Sequence, residues 1–257
     1  MHWDPHKYLE YADCRNRPFF DLTGRIAATE PAVVVDLGCG PGGLTAALAE
    51  RWPDAKVTGV DSSAEMIRRA KQRNNPANAE FVLGDVRDWR PPDGLDVLVS
   101  NAALQWVPGH QVLMRSWLRA LKPGAWLAVQ VPGNFAAPSH ALMRALAGAP
   151  HWRRRLDGVL RHEDVSEPQD YLELLLDEGC EADVWESTYQ QLLHGPDPVL
   201  EWVRGAGLRP VLAALSAAEA AKFESEYATL LRDAYPESEH GTVFGFRRIF
   251  AVGRKLG

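Results

Sequence analysis

The sequence predicts an α/β fold, in which helices cover both faces of a doubly wound, mostly parallel sheet. In the first half of the chain, short apolar runs alternate with helical segments, which is the pattern of stacked βαβ units. The run from Val33 to Val35 is continuously apolar, as expected of a parallel strand that is buried on both faces. Because no Pro/Gly/Ser-rich linker interrupts the chain, we predict one domain over residues 1–257.

Five strands and their helices are expected between residues 30 and 132. A helix from Gly43 to Arg51 follows the first strand. Ser62 and Ser63 are placed to cap a second helix, which extends through Lys71. The second to fifth strands are expected at residues 56–60, 80–83, 95–100 and 125–131.

The second half of the chain has a different pattern. Residues 134–180 are predicted to be helical, residues 184–193 have β character, and residues 242–252 alternate between apolar and polar side chains. Further helices are expected from Pro198 to Asp233, with breaks at Gly205–Gly207 and Pro210. We interpret this half as two late strands that complete the sheet, with a helical insertion between them.

Charge and composition restrict the partners of the chain. The formal net charge is -6, so no overall positive field attracts nucleic acid, and a small anionic substrate would need a local group of arginines. No apolar run approaches the roughly 20 residues of a membrane span, and the N-terminus lacks the pattern of a secretory signal. The three cysteines Cys14, Cys39 and Cys180 lie far apart and are expected to be free thiols in a reducing compartment. The histidines have no metal-binding spacing, so no metal site is expected.

A glycine-rich loop from Asp36 to Gly43 follows the first strand. In an open parallel sheet, ligands bind beyond the carboxyl ends of the strands, where the strand order reverses. Gly38, Gly40 and Gly42 lack a Cβ, so the backbone can turn sharply there and approach a ligand closely. The helix that follows presents free N–H groups at its N-terminus. The loop therefore predicts a site for a nucleotide cofactor, the alternative being a turn that serves only packing.

Two cofactors compete for this loop. Its spacing Gly38-x-Gly40-x-x-Gly43 also matches the dinucleotide fingerprint, with Asp61 where a ribose-binding acid belongs. A carboxylate at the mouth of the loop, Asp36, would repel a pyrophosphate. The same carboxylate suits the ammonium group of the methionine part of S-adenosylmethionine (SAM), directly or through water. Charge therefore favours SAM over a nicotinamide dinucleotide.

Polar residues after the later strands fit the same ligand. We expect Asp61 to accept hydrogen bonds from the ribose hydroxyls, with Ser62 beside it. Asp85 can accept a hydrogen bond from the adenine amino group, and Val86 can offer its backbone to the ring. Met66, one helical turn beyond the serines, either covers the adenine face or belongs to the core.

The end of the fourth strand is expected to hold the reacting part of the cofactor. Asn101, Ala102 and Ala103 follow that strand, and their small side chains leave room for the methionine chain and the methyl group. Trp106 is a candidate wall of the site that would exclude water.

Four segments carry a family pattern: Val35–Gly42, Gly59–Ser63, Gly84–Trp89 and Leu121–Gly124. They resemble the class I SAM-dependent methyltransferases. Other segments resemble the trans-aconitate 2-methyltransferases within this class and extend the likeness over nearly the whole chain: Trp3–Leu9, Arg15–Pro18, Ser100–Pro108, Val129–Asn134, Pro138–His140, Gly179–Trp185, Gly207–Pro210 and Phe246–Phe250.

The resemblance implies a Rossmann-like methyltransferase sheet of seven strands, the last one antiparallel, with a helical insertion that forms a cap. It also implies a cytoplasmic enzyme that monomethylates a carboxylate of trans-aconitate and converts SAM to S-adenosylhomocysteine. The corresponding division of the domain is a lid segment (1–30), a SAM-binding core (31–132), a helical segment (133–180) and a helical insertion before the last strand (195–240).

Such a reaction needs no dedicated catalytic residue. A carboxylic acid has a pKa near about 4, so the acceptor is already ionised at pH 7. Methyl transfer from a sulfonium then requires positioning and desolvation but no proton removal. Methylation of a hydroxyl would instead call for a base such as His110 or His140, both of which we expect to be surface or capping residues.

An acceptor with several carboxylates needs cationic partners, and planar guanidinium groups bind carboxylates in bidentate fashion. The candidates are Arg17, Arg247 and Arg248, with Arg15 a weaker one. Because neighbours in a strand point to opposite faces, only one of Arg247 and Arg248 is expected to face the pocket.

The N-terminal segment is expected to fold over the pocket as a lid, with Trp3 and Tyr8 in its wall. Two other functions remain open at this point. One is a SAM-dependent O- or C-methyltransferase that acts on another small metabolite. The other is a nicotinamide-dependent oxidoreductase or a non-catalytic nucleotide sensor.

Overall fold

The computed structural model describes residues 12–160, 165–205 and 207–257. Its helices are α1 (Ala12–Thr23), α2 (Gly43–Arg51), α3 (Ala64–Gln72), α4 (His110–Ala120), α5 (Pro138–Ala147), α6 (Pro150–Leu156), α7 (Pro168–Asp177), α8 (Pro198–Arg204), α9 (Arg209–Ala214) and α10 (Ala217–Ala234), with a short 3-10 helix at Leu104–Trp106. Its strands are β1 (Val33–Leu37), β2 (Lys56–Asp61), β3 (Ala79–Leu83), β4 (Val97–Asn101), β5 (Trp126–Pro132), β6 (Cys180–Leu193), β7 (Glu237–Ser238) and β8 (Gly241–Lys255).

The strands form one sheet in the order β3-β2-β1-β4-β5-β8-β6, with β7 paired to β8. Strands β1 to β5 are parallel, and β8 runs antiparallel to β5. The predicted α/β sheet with an antiparallel last strand is therefore confirmed. The strand order reverses between β1 and β4, which is where open α/β sheets bind their ligands.

Several boundaries differ from the prediction. The fourth strand begins at Val97 and not at residue 95, because the Leu95 N–H still donates to the carbonyl of Pro92 in the preceding turn. Strand β6 begins at Cys180, four residues earlier than expected, and only Cys180, Tyr189 and Leu193 are buried in it. Pro210 lies in the first turn of α9 and does not break a helix there, since the first turn leaves backbone N–H groups unpaired in any case.

The chain divides into two compact units. The first, which we call the sheet unit, comprises residues 15–132, 165–187 and 248–257. The second, the helical unit, includes the described parts of residues 133–164 and 188–247. It contains α5, α6 and α8 to α10, which is the region where helices were expected after the first five strands. That all residues form a single domain stays a prediction.

The core of the sheet unit lies on both faces of the sheet. One face packs against α4 and α7 through Trp117, Leu118, Tyr171 and Leu174, all buried. On the other face, buried residues of α3 and of the glycine loop pack against Phe81 of β3. The loop is thereby supported from below by a packed core.

The helical unit has its own aromatic core, which includes Trp202, Phe244 and Tyr227. The Tyr227 hydroxyl donates to the Ser139 carbonyl at 2.5 Å, and the Ser139 N–H donates to the hydroxyl of Tyr235 at 3.0 Å. These bonds satisfy backbone groups in the first turn of α5, which has no side-chain cap. In the described ranges, no helix is both long and apolar enough to span a membrane.

Candidate functional site

The glycine loop turns sharply at the carboxyl end of β1. The N–H of Gly38 donates to the Val60 carbonyl at 2.8 Å, which ties the loop to the end of β2. Gly38, Gly40 and Gly42 have φ values of +82°, +55° and +80°, a region that side chains with a Cβ disfavour. Gly42 is the N-cap of α2, so the free N–H groups of this helix point into the loop.

The three glycines face different surroundings. A Cβ on Gly38 would lie 2.2 Å from the Cβ of Ala103, and one on Gly42 would lie 2.7 Å from Cε1 of Phe81. A Cβ on Gly40 would meet no atom within 4 Å. Gly38 and Gly42 are thus required for packing, whereas Gly40 marks the open side of the loop that a ligand can approach.

Asp61 ties the glycine loop to the start of α3. Its Oδ2 accepts the Gly40 N–H at 2.9 Å, and its Oδ1 accepts the Ser63 N–H at 2.8 Å. An ionised carboxylate has about four acceptor sites, so each oxygen can accept a further hydrogen bond. The predicted contact of Asp61 with ribose hydroxyls therefore remains compatible with its structural role.

Asp36 lies beneath the loop and not at its mouth, where the sequence had placed it. It is 3% exposed, and its Oδ2 accepts the Thr45 hydroxyl of α2 at 2.6 Å. Burial raises the pKa of Asp36 to about 6; the bond from Thr45 lowers this pKa, and the charge of Asp61 raises it. Asp36 can favour a cation through its field or through water, but it does not present an open carboxylate.

The loop carries a negative local field. Burial raises the pKa of the Cys39 thiol, and the charges of Asp36 and Asp61 raise it further. A field that penalises a thiolate also penalises the pyrophosphate of a dinucleotide. The structure thus supports the charge argument for a cationic cofactor from a second side chain in the same loop.

The residues that follow β2 are arranged slightly differently from the prediction. Ser63 is the N-cap of α3, and its hydroxyl accepts the Met66 N–H at 3.3 Å. Ser62, predicted as a capping and cofactor-binding residue, is exposed and does not cap this helix. Met66 is buried in the sheet unit.

The carboxylate of Asp85 is engaged by its own loop. Its Oδ1 accepts the backbone N–H and the Nε–H of Arg87, each at 2.9 Å, and its Oδ2 accepts from Nη2 of the same guanidinium. These bonds hold the pKa of Asp85 at about 2. An adenine amino group would have to share this carboxylate with Arg87. The neighbouring Val86 is partly buried against the core.

The end of β4 contains a feature that the sequence did not reveal. Ala102 has a φ of +53°, which is rare for a residue with a Cβ and is typical of functional sites. Its N–H donates to the Gln130 carbonyl at 3.0 Å, and its carbonyl accepts from Nε2 of Gln105 at 2.6 Å. Alanine has no side-chain signature for this conformation, so no pattern could have indicated it.

Asn101 also belongs to this end of β4. Within the described residues, its buried Oδ1 has no hydrogen-bond partner, so it can accept from a bound ligand. Trp106, in the 3-10 helix that follows, is 43% exposed. Trp3 and Tyr8, the other predicted wall residues, lie outside the described residues.

The candidate arginines occupy different environments. The Arg17 side chain is 71% exposed and lies 3.8 Å from Asp21. Arg248, in the sheet unit, is 7% exposed, and its Nη1 donates to Oε1 of Gln130 over 3.5 Å. Arg247, in the helical unit, is held through its backbone: its N–H donates to Oδ1 of Asn134, and its carbonyl accepts from Nδ2 of the same side chain.

His110 and His140 were expected to be surface or capping residues, but neither lies on the surface. His110 is buried, with its Nε2 2.7 Å from the Tyr171 hydroxyl. His140 is partly buried, and its Nδ1 lies 3.1 Å from the Ser139 hydroxyl. Burial, together with the charge of Arg144, lowers the pKa of His140 to about 4, so this ring is neutral at pH 7. Among the residues that the structure describes, no cluster of three or more His, Cys, Asp or Glu side chains could hold a metal ion.

The sheet is mostly parallel, its glycine loop lies at the point of order reversal, and carboxylates lie at the ends of β1 and β2. This combination is typical of a methyltransferase domain. Residues 34–124 match a family model described as a methyltransferase domain. In fold alone, the chain is similar to geranyl diphosphate C-methyltransferase from Streptomyces coelicolor in complex with Mg²⁺, geranyl diphosphate and S-adenosylhomocysteine. That likeness has a TM-score of 0.55 at 15% identity and covers 97% of this chain and 82% of the other.

Two relatives are far more similar in sequence. The trans-aconitate 2-methyltransferase of Streptomyces coelicolor is 54% identical over 98% of this chain and 86% of its own length. The trans-aconitate 2-methyltransferase of Rhodococcus jostii is also 54% identical, over 98% of this chain and 99% of its own. The chain belongs to the trans-aconitate 2-methyltransferase family.

Proposed function

We propose that this enzyme transfers a methyl group from SAM to a carboxylate of trans-aconitate, giving a monomethyl ester and S-adenosylhomocysteine. The observation that carries the proposal is identity above 50%, over 98% of this chain, to two relatives that bear this name. The loop geometry supports the cofactor: an open face at Gly40 lies beside Asp61 in a negative field.

The residues of the sheet unit fit the parts of SAM. In this proposal, Asp61 accepts from the ribose hydroxyls, and Asp85 and Val86 hold the adenine. Asn101 offers an unpaired acceptor for the ammonium group, while Gly38 and Ala103 keep the floor of the site narrow. When bound, SAM supplies an electrophilic methyl group on its sulfonium.

The side chains of this enzyme then act by positioning. A carboxylate acceptor is ionised at pH 7 and needs no base. The two histidines are consistent with this. Because its pKa is lowered to about 4, His140 is a weak base. The Nε2 of His110 is engaged with the Tyr171 hydroxyl. Arg248 is a buried cation on the same unit as the loop, and it is suited to hold a carboxylate of the acceptor.

The same proposal includes a small anionic substrate and a cytoplasmic location. Cys39 and Cys180 are free and buried in the described residues, which suits a reducing compartment. Arg17, Arg247, Trp3 and Tyr8 remain predicted substrate-binding residues, and Ser62, Met66 and Trp106 remain predicted cofactor-binding residues.

The product identifies the reaction. Enzyme, SAM and trans-aconitate are incubated, and the acid is analysed by mass spectrometry for one added methyl group that is removed by alkaline hydrolysis. The expected result is a monomethyl ester that requires both SAM and enzyme. Absence of the ester, together with methylation of a hydroxylated acceptor, would assign the chain a different O-methylation.

A further inference from the structure

We propose that Gln105 is a positioning residue for the cofactor: its side-chain amide holds Ala102 in a left-handed conformation and thereby fixes the end of β4 against the glycine loop. The inference rests on the proposed function, because it concerns the same SAM site. It assigns a role to a residue that was not among the candidate site residues of the sequence.

Ala102 has a backbone conformation that an alanine keeps only when its surroundings enforce it. Its φ of +53° brings the Cβ too close to the following carbonyl oxygen. Among the non-glycine residues that the structure describes, only Asp197 also has a positive φ, and an aspartate can offset the strain with local hydrogen bonds from its side chain. Alanine has no such side chain, so contacts from other residues must hold Ala102 in place.

Hydrogen bonds hold the peptide groups on both sides of Ala102. The Ala102 N–H donates to the Gln130 carbonyl at 3.0 Å, one residue beyond the last β4–β5 pair, Asn101 with Gln130. On the other side, the Ala102 carbonyl accepts from Nε2 of Gln105 at 2.6 Å. The first bond restricts φ and the second restricts ψ, so the Gln105 amide completes the fixation of the turn.

The side chain of Gln105 reaches a carbonyl that lies just before the 3-10 helix Leu104–Trp106. In that helix, the Trp106 N–H donates to the Ala103 carbonyl at 3.1 Å, and the Val107 N–H donates to the Leu104 carbonyl at 2.9 Å. This series of backbone bonds begins one residue after Ala102. Gln105 therefore extends it by one position with a side-chain donor, and it ties the turn at Ala102 to the helix that follows.

The turn at Ala102 lies between two residues of the cofactor site. On one side, Asn101 has a buried Oδ1 without a hydrogen-bond partner in the part of the chain that the structure describes. On the other side, Ala103 packs so closely on the glycine loop that a Cβ on Gly38 would lie 2.2 Å from its own Cβ. Relaxation of Ala102 to a negative φ would redirect the chain and separate Ala103 from Gly38. The bond from Gln105 opposes this change.

A double-mutant cycle of Ala102→Gly and Gln105→Met tests this role by calorimetric titration with S-adenosylhomocysteine. Gln105→Met keeps the length of the side chain but removes the donor, and we expect it to weaken binding about three- to tenfold. Glycine adopts a positive φ without strain, so in the Ala102→Gly background the same change should weaken binding by less than about twofold. Gln105→Glu, which also lacks the donor at pH 7, replaces Gln105→Met in both backgrounds if that variant does not fold.

Gln111→Met is the matched control, because it removes another hydrogen bond of a glutamine amide, from Nε2 of Gln111 to the Ser166 hydroxyl at 2.7 Å. It should leave the affinity for S-adenosylhomocysteine unchanged. If Gln105→Met loses the same affinity in both backgrounds, or no more than Gln111→Met, Gln105 does not act through Ala102 and the inference is wrong. A wild-type enzyme that binds no S-adenosylhomocysteine would refute the cofactor site itself. A wild-type enzyme that binds it but forms no ester would refute only the proposed acceptor, and the result for Gln105 would stand.

Discussion

At the scale of single residues, the glycine loop separates two reasons for using glycine. Gly38 and Gly40 both have positive φ, so any other residue is strained at either position. Only Gly38 is also enclosed, by Ala103. The sequence motif alone could not distinguish these two positions, because it shows a glycine at each but not the atoms that surround it.

Gly38→Ala is therefore expected to be more damaging than Gly40→Ala. The first variant combines backbone strain with a clash against Ala103, whereas the second carries the strain alone, about 1 to 2 kcal/mol. Thermal unfolding and calorimetric titration with S-adenosylhomocysteine measure the two effects. Equal stability of the two variants would show that the contact with Ala103 does not constrain the loop.

Asp36 predicts a pH dependence. Its folded pKa of about 6 exceeds the ordinary value of 3.8, so the folded state retains the proton longer than the unfolded state. The contribution of Asp36 to the free energy of unfolding therefore falls by up to about 3 kcal/mol as the pH rises from about 4 to about 6. Above that pH it stays low. Asp36→Asn removes this fall while keeping an acceptor for Thr45.

We expect Asp36→Asn to be at least as stable as the wild type at pH 7, and its advantage to shrink towards pH 4. It should bind SAM less tightly, because the negative field of the loop is weakened. Urea denaturation at several pH values gives the difference in the free energy of unfolding. A variant that is less stable at pH 7 would show that the charged carboxylate is favourable in the fold.

At the scale of elements, the strands of the first half were predictable and the details at their ends were not. Mostly apolar runs indicated β1, β4 and β5, because both faces of these strands are buried. Local hydrogen bonds decide three of these details: that Ser63 and not Ser62 caps α3, that β6 begins at Cys180, and that Pro210 lies inside α9. Such choices between adjacent residues are not visible in a hydrophobic pattern.

The same limit applies to the site. Asp61 was found from its spacing to the glycine loop, because it stands where a ribose-binding acid belongs. The positive φ of Ala102 was not, because an alanine carries no side-chain signature for that conformation. It became visible only with the hydrogen bonds that its N–H and its carbonyl make to Gln130 and Gln105.

Asp61 connects two elements, so its removal should act on both. In Asp61→Ala, the N–H groups of Gly40 and Ser63 lose their acceptor, and the cofactor loses its charged partner. We expect S-adenosylhomocysteine to bind about 2 to 3 kcal/mol more weakly, with a lower melting temperature. Asp54→Ala, the same change at an exposed position, is the control. Unchanged affinity in Asp61→Ala would remove Asp61 from the cofactor site.

At the scale of the whole molecule, the fold and the acceptor were predicted on different grounds. The parallel sheet and the cofactor loop followed from apolar runs, glycine spacing and charge. The acceptor followed from resemblance, since no local pattern in the chain identifies a tricarboxylic acid. Relatives over 50% identical confirm the family. How the lid and the helical segments contribute to the acceptor site stays a prediction, because Trp3 and Tyr8 lie outside the described residues.

The central claim is that this enzyme methylates a carboxylate by positioning, without a base. The most direct test follows the methyl group from ¹³C-methyl SAM to trans-aconitate by NMR, at pH 7.0 and pH 8.5. The account predicts a single ester methyl signal and a maximal rate that changes by less than about twofold, because the acceptor is ionised at both pH values. An ether or carbon-bound methyl group, or a rate that rises about tenfold per pH unit, would contradict it.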